Sequence, residues 1–424
     1  MIIETIKKIL KKTPIYQPLF NGYYKTRRMV RKVLGKFYRF YTLRVLFPGI
    51  YKKGKKKAID EKKVVFIEVR MPEISDSFAL LYNELQDNYN FKISTHFLRT
   101  SFISRKEYIK RCKAMVEDIA DAKYIFLNES TNVIANLPVR KETVITQLWH
   151  ACGAFKKFGM STADLLFGDN RKTLEKYPYH KNYTHVTVSS PEVVWAYEEA
   201  MGLKKNSGVV KPVGTSRTDV FYDKDVIDKA FKHLYEVFPA AKGKKIILYA
   251  PTFRGRVAKA KTSDKLNIPM FAKEFGDEYV VLFKHHPFVK NRPEVPEEYK
   301  DFAADLTESM NIEELLCVSD ICISDYSSLV FEYSIFEKPM IFFAYDLDNY
   351  YDWRGFYYDY KEFVPGPIIY ECEEMVDYIK NIDTKFNKKI VTDFRDKFMS
   401  ACDGHATERI MKLVFDDDLD KHKK

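Results

Sequence analysis

From residue 63 onward, short apolar runs alternate with segments whose apolar residues recur every three to four positions. KVVFIEVRM (63–71), FKISTHFL (91–98), KYIFLNE (123–129), TVITQLWH (143–150) and HVTVSS (185–190) read as strands. Segments near 75–87 and 105–118 read as helices. SPEVVWAYEEAMG (190–202) opens on a Ser-Pro helix start and stops at Gly202. Continuous apolar strands separated by amphipathic helices predict a parallel sheet covered on both faces, one Rossmann-like domain over 58–221.

A second series follows KPVGTSRTDVF (211–221). Its strands are KKIILYAPTF (244–253), YVVLFKHHP (279–287), ICISDYSS (321–328) and PMIFFAYDL (339–347), with helices near 226–238, 311–319 and 328–337. The same reasoning predicts a second Rossmann-like domain over 222–424. Its amphipathic tail, near 389–415, can cross back onto the first. A chain of 424 residues exceeds what one core usually organises, so the predicted fold class is α/β with two such domains.

The formal charge of +11 changes meaning once it is placed along the chain. Residues 1–57 hold 17 Lys or Arg against one acid, Glu4, which is +16, and the rest of the chain is therefore −5. Within that segment IIETIKKILKK and RRMVRKVLGKFYRFYTLRVLF interleave cations with apolar residues at helical spacing, as in an interfacial helix on anionic lipid. A nucleic-acid patch and a plain solvated extension are the competing readings. The broad apolar face argues against nucleic acid, because phosphate tracking needs charge alone. No apolar stretch reaches the roughly 18–20 residues that span a bilayer, and the first ten lack a secretory core. The expectation is a peripheral protein on the cytoplasmic face of the cell membrane. Six scattered cysteines without zinc-like spacing fit a reducing compartment, and the sequons at Asn128 and Asn182 read as accidental.

Candidate chemistry gathers where strands end. His150 follows Trp149 and precedes Ala151-Cys152-Gly153, small residues that admit an acceptor; an exposed imidazole there suits a general base. Lys156 and Lys157 just beyond can hold an anionic substrate. In KHHP, Pro287 turns the strand outward, so one of His285 and His286 faces the cleft and the other packs. Ser327 and Ser328 stand at a strand-to-helix turn that suits phosphate. Arg217 in GTSRTD, Thr252 and Arg254 in APTFRG, and Arg354 in DWRGFYY could complete a polyanion site. Each has an ordinary structural alternative: a packed histidine, a serine cap, a surface ion pair. P-loop, GxGxxG and GxSxG signatures are absent, as are metal-ligand spacings; no metal and no cofactor is expected.

The ordered set WHxxGxxKKFG, GTSRTD, YAPTFRG, HHP, SDYSSLVFEY, KPMIFFAYDLDxY and RGFYYD resembles the CDP-glycerol glycerophosphotransferase family, the teichoic acid primases and polymerases. It covers roughly residues 140–415. The resemblance implies a GT-B-like pair of domains, a CDP-alditol donor in the C-terminal one, a membrane-bound, lipid-linked saccharide or growing polymer as acceptor, and no nucleic acid. It implies that His150 and His286 are catalytic, and that Ser327, Ser328 and Arg354 fall in donor-phosphate segments. The reaction expected is transfer of an alditol phosphate, glycerol phosphate first, with release of CMP. Alternatives are ribitol phosphate transfer, a GT-B glycosyltransferase using a nucleotide sugar, and a non-catalytic membrane-binding module. WHACGA stands where many members read WHGT-P, which bears on the acceptor.

Overall fold

The computed structural model describes residues 16–165, 168–255, 260–262, 265–348, 350 and 355–424, with side chains from residue 25. The IIETIKKILKK run and Arg354 lie outside the described residues.

Two parallel six-stranded sheets carry the molecule. The first has the order β2-β1-β3-β4-β5-β6, from Asp60–Glu68 (β1), Lys92–Phe97 (β2), Ala122–Leu127 (β3), Val144–Gln147 (β4), His185–Thr187 (β5) and Val210–Lys211 (β6). The second has the order β12-β11-β10-β7-β8-β9, from Lys245–Ala250 (β7), Tyr279–Phe283 (β8), Ala303–Asp305 (β9), Ile321–Ser324 (β10), Met340–Phe343 (β11) and Ile368–Ile369 (β12). Strands such as β8 are buried along their whole length, which is why they read as unbroken apolar runs rather than alternating ones. Strand order reverses between β1 and β3 in the first sheet and between β7 and β10 in the second. Such reversals leave a crevice at the carboxyl ends of the strands.

The two halves are joined by packing as well as by chain. Phe155 from the first packs on Phe331 and Phe363, which in turn pack on Phe394 and Phe398; Phe331 stacks on Phe394 at 5.2 Å. The helix Ala406–Phe415 returns to the first sheet, laying Ile410, Met411, Val414 and Phe415 against Val64, Phe66, Tyr124 and Phe126.

Helix Tyr16–Phe40 leads through a wider-wound turn at Tyr41–Leu46 into helix Phe47–Gly54. Leu43, Phe47 and Tyr51 are buried in the main core. The basic segment is thus not separable at residue 57, because its end is part of the folded body. Upstream the situation reverses: Met29, Val33, Leu34, Phe37 and Phe40 are exposed, Phe37 by 67%. Among the described residues no helix is long and apolar enough to cross a membrane.

Candidate functional site

His150 is set by a short, strained departure from β4. Trp149 takes a left-handed φ of +62°, a conformation that costs a bulky residue about 1–3 kcal/mol and persists only where neighbours over-determine it. Here they do. Its N–H donates to Gln147 Oε1 at 3.0 Å, and its ring packs on Phe158 at 4.9 Å and on the His150 ring at 4.7 Å. Nδ1 of His150 lies 3.2 Å from the Asn128 carbonyl oxygen. A carbonyl can only accept, so Nδ1 carries the proton and Nε2 keeps its lone pair. Asn128 is itself fixed, donating from Nδ2 to Glu68 Oε2 at 2.6 Å and to Ser75 Oγ at 2.9 Å.

The His150 ring is open to the cleft yet walled by protein. That desolvation lowers its pKa to about 4, with the charges of Arg70 and Arg217 adding to it against the Asn128 hydrogen bond. The imidazole is neutral near pH 7, as a proton acceptor must be.

His286 arrives from the second sheet. His285 is buried, with Nδ1 2.9 Å from Thr262 Oγ1, while His286 packs on the rings of Phe253 and Phe288 at 4.7 and 4.6 Å. The Phe288 N–H donates to its Nδ1 at 3.2 Å. That nitrogen therefore accepts, and the proton sits on Nε2. The two histidines hold opposite tautomers, one offering a lone pair and the other an N–H.

Both line one cleft of about 950 Å³, together with Lys156, Thr252, Ser327 and Ser328. Ser327 and Ser328 leave β10 and Thr252 leaves β7, so they flank the second sheet's reversal. Asp325 ties the two loops, accepting from the Thr252 N–H at 2.8 Å and hydroxyl at 3.0 Å. Lys156 stands with its ammonium 5.3 Å from the Tyr350 ring.

The arginines stand differently from the sequence-based expectation. Arg254 is spent on Asp346, at 2.6 and 2.8 Å, and on Asp325 at 2.9 Å, while donating to the Thr252 hydroxyl at 2.9 Å. Arg217 donates to the His150 carbonyl oxygen at 2.7 Å and pairs with the buried carboxylates of Glu313 and Glu332. Both guanidiniums are engaged by carboxylates, Arg217 with its Nε left without a hydrogen-bond partner among the described residues, and neither lines the cleft. Lys157 bonds through its backbone N–H to the Gly355 carbonyl at 3.2 Å and does not line the cleft. Arg70 and Glu129, which do line it, escaped the sequence reading, each lying two residues past the observed end of its strand. Among the described residues no group of three or more His, Cys, Asp or Glu is gathered as for a metal.

Gly153 shows how closely the halves approach. Its φ is +64°, and a Cβ there would lie 2.2 Å from the Phe331 ring.

Residues 50–416 match the family described as CDP-Glycerol:Poly(glycerophosphate) glycerophosphotransferase. The chain is 38% identical over 365 residues to a teichoic acid poly(ribitol-phosphate) polymerase of Bacillus spizizenii, covering 84% of this chain and 57% of that protein. It is 33% identical over 393 residues to a teichoic acid ribitol-phosphate primase of the same organism, covering 91% of this chain and 96% of the relative. The solved structure of the wall teichoic acid polymerase TagF shares the fold, with a TM-score of 0.74 at 23% identity, covering 95% and 98% of the two chains.

Proposed function

Because the chain belongs to the CDP-glycerol:poly(glycerophosphate) glycerophosphotransferase family, we propose that it transfers an alditol phosphate from a CDP-alditol to a hydroxyl of a teichoic acid acceptor, releasing CMP. The observation that carries this reading is the meeting of His150 and His286, from different sheets, in one cleft with opposite tautomers.

His150 Nε2 takes the acceptor hydroxyl's proton as its oxygen attacks the β-phosphorus. The new P–O bond forms as the bond to CMP breaks. His286 Nε2–H donates to a pyrophosphate oxygen, and the hydroxyls of Ser327 and Ser328 serve the same growing charge. Arg354 joins them by family resemblance. Between the alditols, the names of the two relatives favour ribitol.

The acceptor is membrane-bound, and the arm supplies the surface contact on the cytoplasmic face. The exposed stripe from Met29 to Phe40 enters the lipid interface while its neighbouring cations meet anionic headgroups, each worth about 1 kcal/mol near the surface.

The test is CMP release from CDP-glycerol, CDP-ribitol and UDP-sugars with a lipid-linked acceptor. Wild type should respond to a CDP-alditol alone, and His150→Ala and His286→Ala should abolish the release while the thermal unfolding midpoint stays in place. Near-normal turnover in either variant removes that histidine from the mechanism, and response to a UDP-sugar instead makes the protein a glycosyltransferase.

A further inference from the structure

Each sheet has a reversal in strand order, and only the second has so far been given a task. The crevice between β1 and β3 opens into the same cleft. Arg70 leaves it two residues past β1 and Glu129 two residues past β3, with Arg70 Nε 2.8 Å from Glu129 Oε2. Ser130 lines the cleft beside them. The Glu129 side chain is only 15% exposed, whereas Arg70 keeps 49% of its surface. Burial raises the Glu129 pKa, Arg70 acts against that and nearby Glu68 with it. The loop is tied to the strand that delivers the base, since Gln147 Nε2 donates to the Glu129 carbonyl oxygen at 3.2 Å.

β1, β3 and β4 are neighbours, so Arg70, Glu129 and His150 form a row along one sheet edge. Adjacent strands lie roughly 4.8 Å apart, so loops leaving neighbouring strands can reach one and the same polyol. The chemistry of the pair selects its occupant. A phosphate would be repelled by Glu129, and an apolar group would leave a desolvated ion pair unsatisfied. A vicinal diol satisfies both, its hydroxyls donating to the carboxylate and accepting from the guanidinium.

We propose that Glu129 and Arg70 bind the hydroxyl vicinal to the attacking one on the acceptor's terminal polyol, Glu129 accepting from it and Arg70 donating to it, and so deliver the attacking hydroxyl to His150. This rests on the phosphotransferase reading above. It assigns the first sheet's crevice to the acceptor, as the second sheet's holds the donor.

Steady-state kinetics with CDP-ribitol or CDP-glycerol separate the possibilities. Glu129→Gln and Arg70→Gln should each raise the acceptor KM about tenfold or more, the loss expected for a hydrogen bond to a charged group, and leave the donor KM within about twofold. Wild-type enzyme should lose the same factor on an acceptor lacking the vicinal hydroxyl, a measurement that needs no variant to fold. On that deoxy acceptor Glu129→Gln should cost nothing further. An unchanged acceptor KM, a change in donor KM instead, or a fall in kcat alone would each overturn the assignment. If His150→Ala is inactive while Glu129→Gln behaves as wild type, the inference fails and the phosphotransferase reading stands; if wild type releases no CMP from either donor, both fall.

Discussion

Replacing Arg217 by Met tests whether a buried charge cluster, and not apolar packing alone, holds the His150 loop against the second half of the molecule. The guanidinium sits between Glu313 and Glu332, whose side chains are 10% and 4% exposed, and caps the His150 carbonyl. Asp76 belongs to the same cluster, its pKa raised to about 6 by burial and then by Glu313. Arg217→Met leaves two buried carboxylates without their counter-charge, and breaking a buried pair this way costs about 3–5 kcal/mol. The carboxylates can escape the penalty only by binding protons. Burial already raises the Glu332 pKa, and loss of Arg217 raises it further, so the cost is absent below the unfolded carboxylate pKa and grows as pH rises through the folded value. Urea midpoints measured at about pH 8 and about pH 5 should therefore show a large deficit at the higher pH and a much smaller one at the lower. Arg217→Lys keeps the charge but not the fork, and should lie between. A deficit of the same size at both pH values, or one below about 1 kcal/mol, would falsify the assignment of Arg217 as a buried electrostatic brace.

Gly153→Ala should destabilise the protein by about 2–5 kcal/mol, the sum of left-handed strain and a forced Phe331 shift, read as a drop in urea midpoint. His150 and His180 are both held at a pKa of about 4, below the unfolded value. The stability that their neutral forms contribute is full above pH about 6.5 and is lost as pH falls toward 4; thermal midpoints should decline over that window, with a shallower slope in His150→Asn. Turnover, if His150 is the base, should stay level around neutrality and fall only as pH nears about 4. Leu34→Glu with Phe37→Glu should abolish flotation with anionic vesicles and leave turnover on a soluble acceptor analogue intact. Deleting residues 1–57 should instead unfold the protein, since it removes Leu43, Phe47 and Tyr51 from the core.

Strand positions were legible because long buried strands are apolar throughout, as at 64–67, 246–250 and 279–283. The two-residue strands Val210–Lys211 and Ile368–Ile369 were not, for two residues carry no period. The helices Ile268–Phe275 and Cys372–Lys380 were also missed. At the site, the histidines announced themselves by sitting at strand ends. The partners of the arginines were not legible, because a sequence cannot show that Asp325, Asp346, Glu313 and Glu332 converge on Arg254 and Arg217 from as far as 115 residues away. Arg70 and Glu129 became visible only when the order of strands was known, since that order makes their loops neighbours.

The phenylalanine cluster that bridges the two sheets has a bearing on rate. Close-packed rings do not slide past one another by small steps, so the separation between His150 and the loop that carries Ser327 and Ser328 is set when the chain folds. The entropy of aligning two reaction partners is then met in advance by hydrocarbon contact, away from the chemistry, and substrates enter a gap already cut to size.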